Sequence, residues 1–286
     1  MKFDGQRQPN TLYVASVSRG KDSTAMLEAV RLLGWPLDGI VSVDIWATDE
    51  IPAELPEMVT FKKEWDEKCL CHFGLPVSRL HAKDKDGTKR TFEGGMTKRL
   101  SKHDGRAHGF PVLTRPWCNG YLKTDVLTAK AIAEALGAAP KSKVFHYIGI
   151  AADEAKRVER WGGRDSCALP LVAIGWDEST CFQIAEELDM LSPTYTRGTR
   201  DGCWFCQNQG VAQLRNLRAL YPDLWQKLLE WDTLSKIPFK PDGHTVHDYD
   251  RRFQAEDEGY ITAGDRSFKW DDLNALQMNI FQFLRE

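Results

Sequence analysis

Residues 12–34 constrain the fold more than any other stretch of the chain. They run Leu-Tyr-Val-Ala-Ser-Val-Ser-Arg-Gly-Lys-Asp-Ser-Thr-Ala-Met-Leu-Glu-Ala-Val-Arg-Leu-Leu-Gly. The apolar start reads as a buried strand, and the apolar periodicity from about residue 22 to 34 reads as a helix. Between them lies an abrupt polar turn, Ser18-Arg19-Gly20-Lys21-Asp22-Ser23. A helix N-terminus presents unpaired N–H groups and about half a positive charge, so it attracts phosphate. Gly20 lets backbone approach an anion, Lys21 adds a point charge, and Ser18 and Ser23 can donate hydrogen bonds. Asp22 or Ser23 also suits an N-cap. Capping alone does not call for the whole hexapeptide, so phosphate binding is the stronger reading.

This turn resembles the PP-loop, Ser-Gly-Gly-Lys-Asp-Ser in its usual form, of the adenine nucleotide alpha hydrolase superfamily. It is not a Walker A loop, because it lacks the upstream glycine and runs Gly-Lys-Asp-Ser. Arg19 stands where that superfamily usually has glycine, a substitution the position tolerates if its backbone angles are ordinary.

Strand–helix alternation continues beyond the turn. Ile40 to Ile45 and Leu75 to Leu80 read as strands, with a helix from about 55 to 72 between them. Residues 119–137 read as one strongly periodic helix, and Val144 to Ile150 as the next strand. The pattern predicts an α/β fold, a parallel sheet with helices on both faces, Rossmann-like in kind. Ligands of such sheets bind beyond the carboxyl ends of the strands. From Ser179 onward the pattern is helical, near 179–190, 209–220 and 222–231, with an apolar-periodic tail over 268–285. The expected organisation is an α/β domain over 1–215 and a helical C-terminal extension over 216–286 packed on it. Trp204, Trp225, Trp231 and Trp270 read as core of the helical part.

The 286 residues, 42% hydrophobic and 28% charged, fit a soluble globular protein of one or two domains. No apolar run approaches the ~20 residues of a membrane span, and the N-terminus lacks the apolar core of a secretion signal. A cytoplasmic location and no membrane partner are the expectation. The net charge of −3 gives no global reason to bind nucleic acid. Its distribution does: from Arg79 to Arg106, nine Lys/Arg stand against four acids, with His81, His103 and four glycines. Residues 79–108 read as a long mobile basic loop, either a solvated excursion or a site for a nucleic acid or a phosphorylated small molecule.

Further segments resemble one branch of the superfamily, the phosphoadenosine phosphosulfate (PAPS) reductase-like proteins. Asp44 at the end of the second strand, with Pro56-Glu57 opening a helix, resembles the family's Asp-Thr-Gly and Pro-Glu pieces. That resemblance implies a ribose or metal contact for Asp44. Trp117-Cys118-Asn119-Gly120-Tyr121-Leu122-Lys123 resembles the family's Cys, then Lys, at a helix start, which implies a phosphate contact for Lys123. Gly149-Ile150-Ala151-Ala152-Asp153-Glu154 resembles a Gly-Ile-Arg-Ala-Asp-Glu turn, with Ala151 in place of arginine. Leu169-Pro170-Leu171 and Gly175-Trp176 resemble its Pro-Leu and Trp segment. The resemblance spans roughly residues 10–215. No Cys-Gly-Leu-His and no tandem Cys-Cys pair occur, so reduction of PAPS or its unphosphorylated analogue (APS) would lack its nucleophile.

Seven cysteines without a secretion signal argue against a disulfide framework. Cys203-Trp204-Phe205-Cys206 lets two thiolates reach one ion from a loop. Together with Cys118, the resemblance to sulfur-transferring PP-loop proteins implies a [4Fe–4S] cluster on Cys118, Cys203 and Cys206. Zn²⁺ is the alternative that thiolates equally suit. Cys167 or Cys181 is a candidate fourth ligand, Cys181 doubling as core; Cys69 and Cys71 read as structural.

The expected function is an ATP-pyrophosphatase-type enzyme that adenylates a substrate and transfers sulfur. ATP and Mg²⁺ would be held by Ser18, Arg19, Gly20, Lys21, Asp22, Ser23 and Asp44, and Lys21, Ser23, Cys118 and Lys123 would serve the chemistry. The alternatives are a PAPS/APS reductase and a zinc-stabilised nucleotide-binding module without turnover. A homodimer is left open.

Overall fold

The computed structural model describes residues 3–98, 109–112, 114, 116–139, 142–197, 202–265, 267–271 and 273. The chain divides into two compact units. One comprises Met1–Gly95 and Trp117–Cys203, the other Met96–Pro116 and Trp204–Glu286. The second unit thus joins a segment from the middle of the chain to the C-terminal part.

The first unit is an α/β fold. Its strands are β1 (Thr11–Ser16), β2 (Gly39–Val43), β3 (Val77–Leu80), β4 (Lys143–Tyr147) and β5 (Cys167–Ala168). All pair in parallel in the order β3-β2-β1-β4-β5. Tyr13, Val14 and Ala15 of β1 are fully buried, as expected of a central strand covered on both faces. Side chains alternate across the sheet. Tyr13 and Ala15 join Met26, Leu27 and Val30 of α1 (Lys21–Leu32) and Trp65 of α2 (Pro56–Phe73) on one face. Val14 and Leu12 join Val41, Leu80 and Ile132 on the other. The order reverses at β1, which pairs with β2 on one side and β4 on the other. At such a reversal, ligands of parallel sheets bind beyond the carboxyl ends of the strands, here β1 and β4.

The segment expected to be one helix over 119–137 is three pieces: α4 (Trp117–Leu122), a 3-10 turn at Thr124–Val126, and α5 (Ala129–Ala135). Thr128 stops continuous helix by capping α5, its Oγ1 accepting from the Ala131 N–H at 3.2 Å. Ile132 of α5 still packs on the sheet. The basic segment is not one featureless loop in its described part. After β3 it makes a hairpin closed by the Lys83–Lys89 bridge, with Gly87 at φ +88°, and then α3 (Phe92–Thr97). Residues 99–108 lie outside the described residues.

The rest of the first unit is α6 (Ala155–Trp161), α7 (Pro170–Ile174), α8 (Glu178–Glu187) and α9 (Thr194–Arg197). The second unit carries α10 (Val211–Leu220), α11 (Pro222–Leu234) and α12 (Val246–Asp257). Trp204 and Trp231 are buried there and stacked at 5.2 Å, and Trp225 is buried with its Nε1 donating to Asp250 at 2.7 Å. Trp270 is half-buried, stacked on His244. Beyond residue 273 the expected tail helix lies outside the described residues. No described helix is long and apolar enough to cross a membrane.

Candidate nucleotide site

The chain leaves β1 at Ser16 and enters α1 at Lys21, so the polar turn sits at the sheet's reversal point. The N-cap is Gly20, extended at φ −79° and ψ 167°, with no side-chain cap hydrogen bond; neither Asp22 nor Ser23 caps the helix. The Ser23 and Thr24 N–H groups are satisfied by the Gly20 carbonyl at 3.1 Å each. Those of Ser18, Arg19, Gly20, Lys21 and Asp22 have no hydrogen-bond partner among the described residues. Such a run of amides, summed with the dipole of a twelve-residue helix, supplies the N–H groups and partial positive charge that an anion site needs. Just before the turn, the Ser16 Oγ is buried and likewise without a partner.

Lys21 is mostly buried, its Nζ 2.6 Å from Asp22 Oδ1 and 3.6 Å from Glu178 Oε2 at the start of α8. Burial pulls its pKa down, but the hydrogen bond and charge of Asp22, with Glu178, outweigh that and raise it. The ammonium is therefore charged at any physiological pH. Ser23 Oγ donates to the Gly20 carbonyl at 2.9 Å, tightening the turn. Ser18 is exposed.

Arg19 departs from the expectation of ordinary backbone angles: its φ is +64°, the left-handed region where glycine is unstrained. Its side chain is 1% exposed and points into the protein. The guanidinium Nε and Nη2 donate to Asp66 at 2.7 and 3.1 Å, and Nη1 donates to Ser42 Oγ at 2.6 Å. Only its backbone is available to a ligand.

Asp44 follows β2, and Lys62 donates to its Oδ1 at 2.6 Å and to Glu54 at 2.9 Å. Arg79 Nη1 lies 3.9 Å from the other Asp44 oxygen. Lys123 is exposed after α4, and no hydrogen bond or ion pair joins it to the turn among the described residues. The Gly149 turn is brought to the site: it follows β4 and lies against the first turn of α1. Asp153 Oδ1 accepts from the Glu178 N–H at 3.2 Å, tying this turn to α8. Glu178 and the Gly149 contact were not foreseen from sequence, because both depend on pairing between elements far apart in the chain.

Along the basic segment, Arg79, His81, Lys83 and Arg90 line a cleft of about 480 Å³ with Asp125 and Glu134. Arg79 is bound to Asp66 at 2.6 Å and Arg90 to Asp84 at 2.8 Å. Lys83 is exposed and has no ion-pair partner among the described residues. Burial, with Lys83 and Lys89, lowers the His81 pKa, so the ring is neutral.

No disulfide links the seven cysteines. Cys118, Cys203 and Cys206 are half-buried, and Cys181 is core, its thiol pushed up to about 12 by burial. Cys167 Sγ lies 3.8 Å from the Trp161 carbonyl. Among the described residues, no group of three or more His, Cys, Asp or Glu is arranged to hold a metal. Sequence reasoning also missed Lys240. Its buried ammonium donates to the carbonyls of Gln207 (2.7 Å) and Gln209, pinning the chain just after Cys206.

No protein-family model matches the chain. No curated protein matches it either. Among solved structures, it is similar to the U34-tRNA thiolase NcsA from Methanococcus maripaludis with its [4Fe-4S] cluster. The identity is 16%, over 85% of this chain and 72% of that one, with a TM-score of 0.36. At that score the similarity carries no inference.

Proposed function

We propose that the protein binds ATP with its phosphates on the β1–α1 turn and transfers AMP to a substrate, as an enzyme of the PP-loop ATP-pyrophosphatase kind. The observation that carries this reading is the row of unpartnered amides from Ser18 to Asp22 at the reversal of a parallel sheet. A substrate oxygen attacks the α-phosphorus, the bond to the bridging oxygen breaks, and pyrophosphate leaves. Lys21 and the amides stabilise the charge that develops on the phosphates. Mg²⁺ would accompany the phosphates; carboxylate oxygens for it stand close by on Asp22 and Glu178, both beside Lys21. Its contribution would be to neutralise phosphate charge.

Adenylation makes the substrate oxygen a good leaving group. A sulfur nucleophile can then attack the carbon that bears it, forming a C–S bond and releasing AMP. The acceptor, a nucleic acid or a phosphorylated small molecule, is assigned to the basic segment 79–108, with Lys83 in its cleft as first contact. For a [4Fe–4S] cluster on Cys118, Cys203 and Cys206 the donor chemistry fits. Among the described residues no group of three or more His, Cys, Asp or Glu could hold a metal ion, so no step is derived through a cluster.

The test is pyrophosphate release from Mg·ATP by anaerobically purified protein against candidate acceptors, with iron, zinc and acid-labile sulfide measured on the same sample. Acceptor-dependent pyrophosphate release with sulfide supports a sulfurtransferase. Stoichiometric zinc without turnover supports a nucleotide-binding module. Thioredoxin-dependent sulfite release without ATP would support a PAPS/APS reductase and contradict the proposal.

A further inference from the structure

We propose that Arg19 is a positioning residue that clamps the anion-binding turn through Asp66, and that its guanidinium is not a phosphate ligand. The inference rests on the nucleotide reading of the turn.

Glycine would meet the backbone requirement at position 19 without strain, since φ is +64°. An arginine held there must be over-determined by its surroundings. It is. Asp66 on α2 receives two of its N–H groups at 2.7 and 3.1 Å, and Ser42 on β2 a third at 2.6 Å. Its guanidinium carbon sits 5.9 Å from the Trp65 ring centre. Trp65 in turn donates from Nε1 to Thr24 Oγ1 at 3.0 Å, and Thr24 Oγ1 donates to the Gly20 carbonyl at 3.3 Å. The circuit leaves the turn at Arg19, crosses α2, and returns to the turn at Gly20.

Two consequences follow from physical chemistry. Drawing the buried guanidinium out toward a ligand would break a two-point ion pair to half-buried Asp66, so a phosphate role for it is disfavoured. Without an anion, the unpartnered amides leave hydrogen-bonding capacity unmet, and the turn gains by rearranging to satisfy it. A buried clamp opposes that rearrangement and keeps the site preorganised. Asp66 also binds Arg79, with 2.6 Å from Nη2, and Arg79 reaches toward Asp44 at 3.9 Å. The clamp thus connects the turn to the end of β2.

The experiment uses the full chain with three variants: Arg19→Gly, Asp66→Asn and the double variant. Arg19→Gly suits the left-handed backbone, so it tests the side chain without adding strain. Mg·ATP affinity is measured by calorimetry, and amide hydrogen exchange at Ser23 and Thr24, whose N–H groups bond the Gly20 carbonyl, is measured without nucleotide. Each single variant is expected to bind Mg·ATP about tenfold more weakly and to exchange about tenfold faster, the double variant no worse than either single. Wild-type exchange and affinity in Arg19→Gly would overturn the clamp. So would unchanged or tighter binding in Asp66→Asn, which releases the guanidinium to reach a phosphate. If the unaltered protein fails to bind Mg·ATP, the nucleotide reading falls, and the exchange data still decide whether Arg19 holds the turn.

Discussion

Gly149 and Asp22 meet backbone to backbone: a Cβ at position 149 would stand 2.9 Å from the Asp22 carbonyl oxygen and 3.1 Å from its carbon. The segment after β4 is thereby pressed onto the first turn of α1. Gly149→Ala must push α1 and its amides away from β4. The expected result is a loss of about 1–3 kcal/mol in stability with weakened Mg·ATP binding. Gly120→Ala is the control, because nothing lies within 4 Å of a Cβ there. Thermal melts and calorimetry check both; equal behaviour of the two variants would contradict the contact's role.

Lys21→Ala removes a side-chain ammonium at the turn while leaving Asp22 and Glu178 in place. Pyrophosphate release is expected to fall by about two to three orders of magnitude with an unchanged melting curve. Release at the wild-type rate would take the turn out of the reaction.

Elements built on local signals were legible in the sequence. The strand, turn and helix around Lys21 were, because a continuous apolar run and a polar hexapeptide each leave a local mark. The division of 119–137 into three pieces was marked only by Thr128, a capping residue inside an otherwise apolar-periodic stretch. Helix α12 escaped notice because its apolar positions are sparse, although Thr245 and Asp248 form a capping box. The role of Arg19 was not readable, since Asp66 lies 47 residues away and only the folded sheet brings them together. The metal-ligand expectation for the cysteines followed from their spacing and from resemblance, neither of which places three sulfurs around one point.

Thiol reactivity gives a separate check on the first unit. Burial raises the pKa of Cys69 and Cys181 to about 12, so both remain thiols near neutrality, while Cys71 is exposed on α2. A thiol reagent at pH 8, read by peptide mass spectrometry on native protein, is expected to label Cys71 and to spare Cys69 and Cys181. Denaturant should open all seven. Native labelling of Cys181 would contradict its place in the core.

Glu28 supplies an acid-sensitive contact on α1. Arg31 hydrogen-bonds it at 2.5 and 2.9 Å, and His72 lies 3.1 Å away. The Arg31 bonds lower its pKa against the opposing effect of burial, and His72 adds to the lowering. A carboxylate with a depressed folded pKa contributes stability above its unfolded pKa of about 4.3, and loses it as pH falls through the folded value. Melting temperature is therefore expected to fall more steeply below about pH 4 in the wild type than in Glu28→Gln. Parallel pH profiles would refute the assignment.

The central claim is that the phosphates of an adenine nucleotide occupy the turn between β1 and α1. A crystal structure with a non-hydrolysable ATP analogue and Mg²⁺ tests it directly. Phosphate oxygens are expected on the amides of Gly20 to Asp22 and on the Lys21 ammonium, with Arg19 still bound to Asp66. An analogue bound elsewhere in the protein, with that turn vacant, would contradict it.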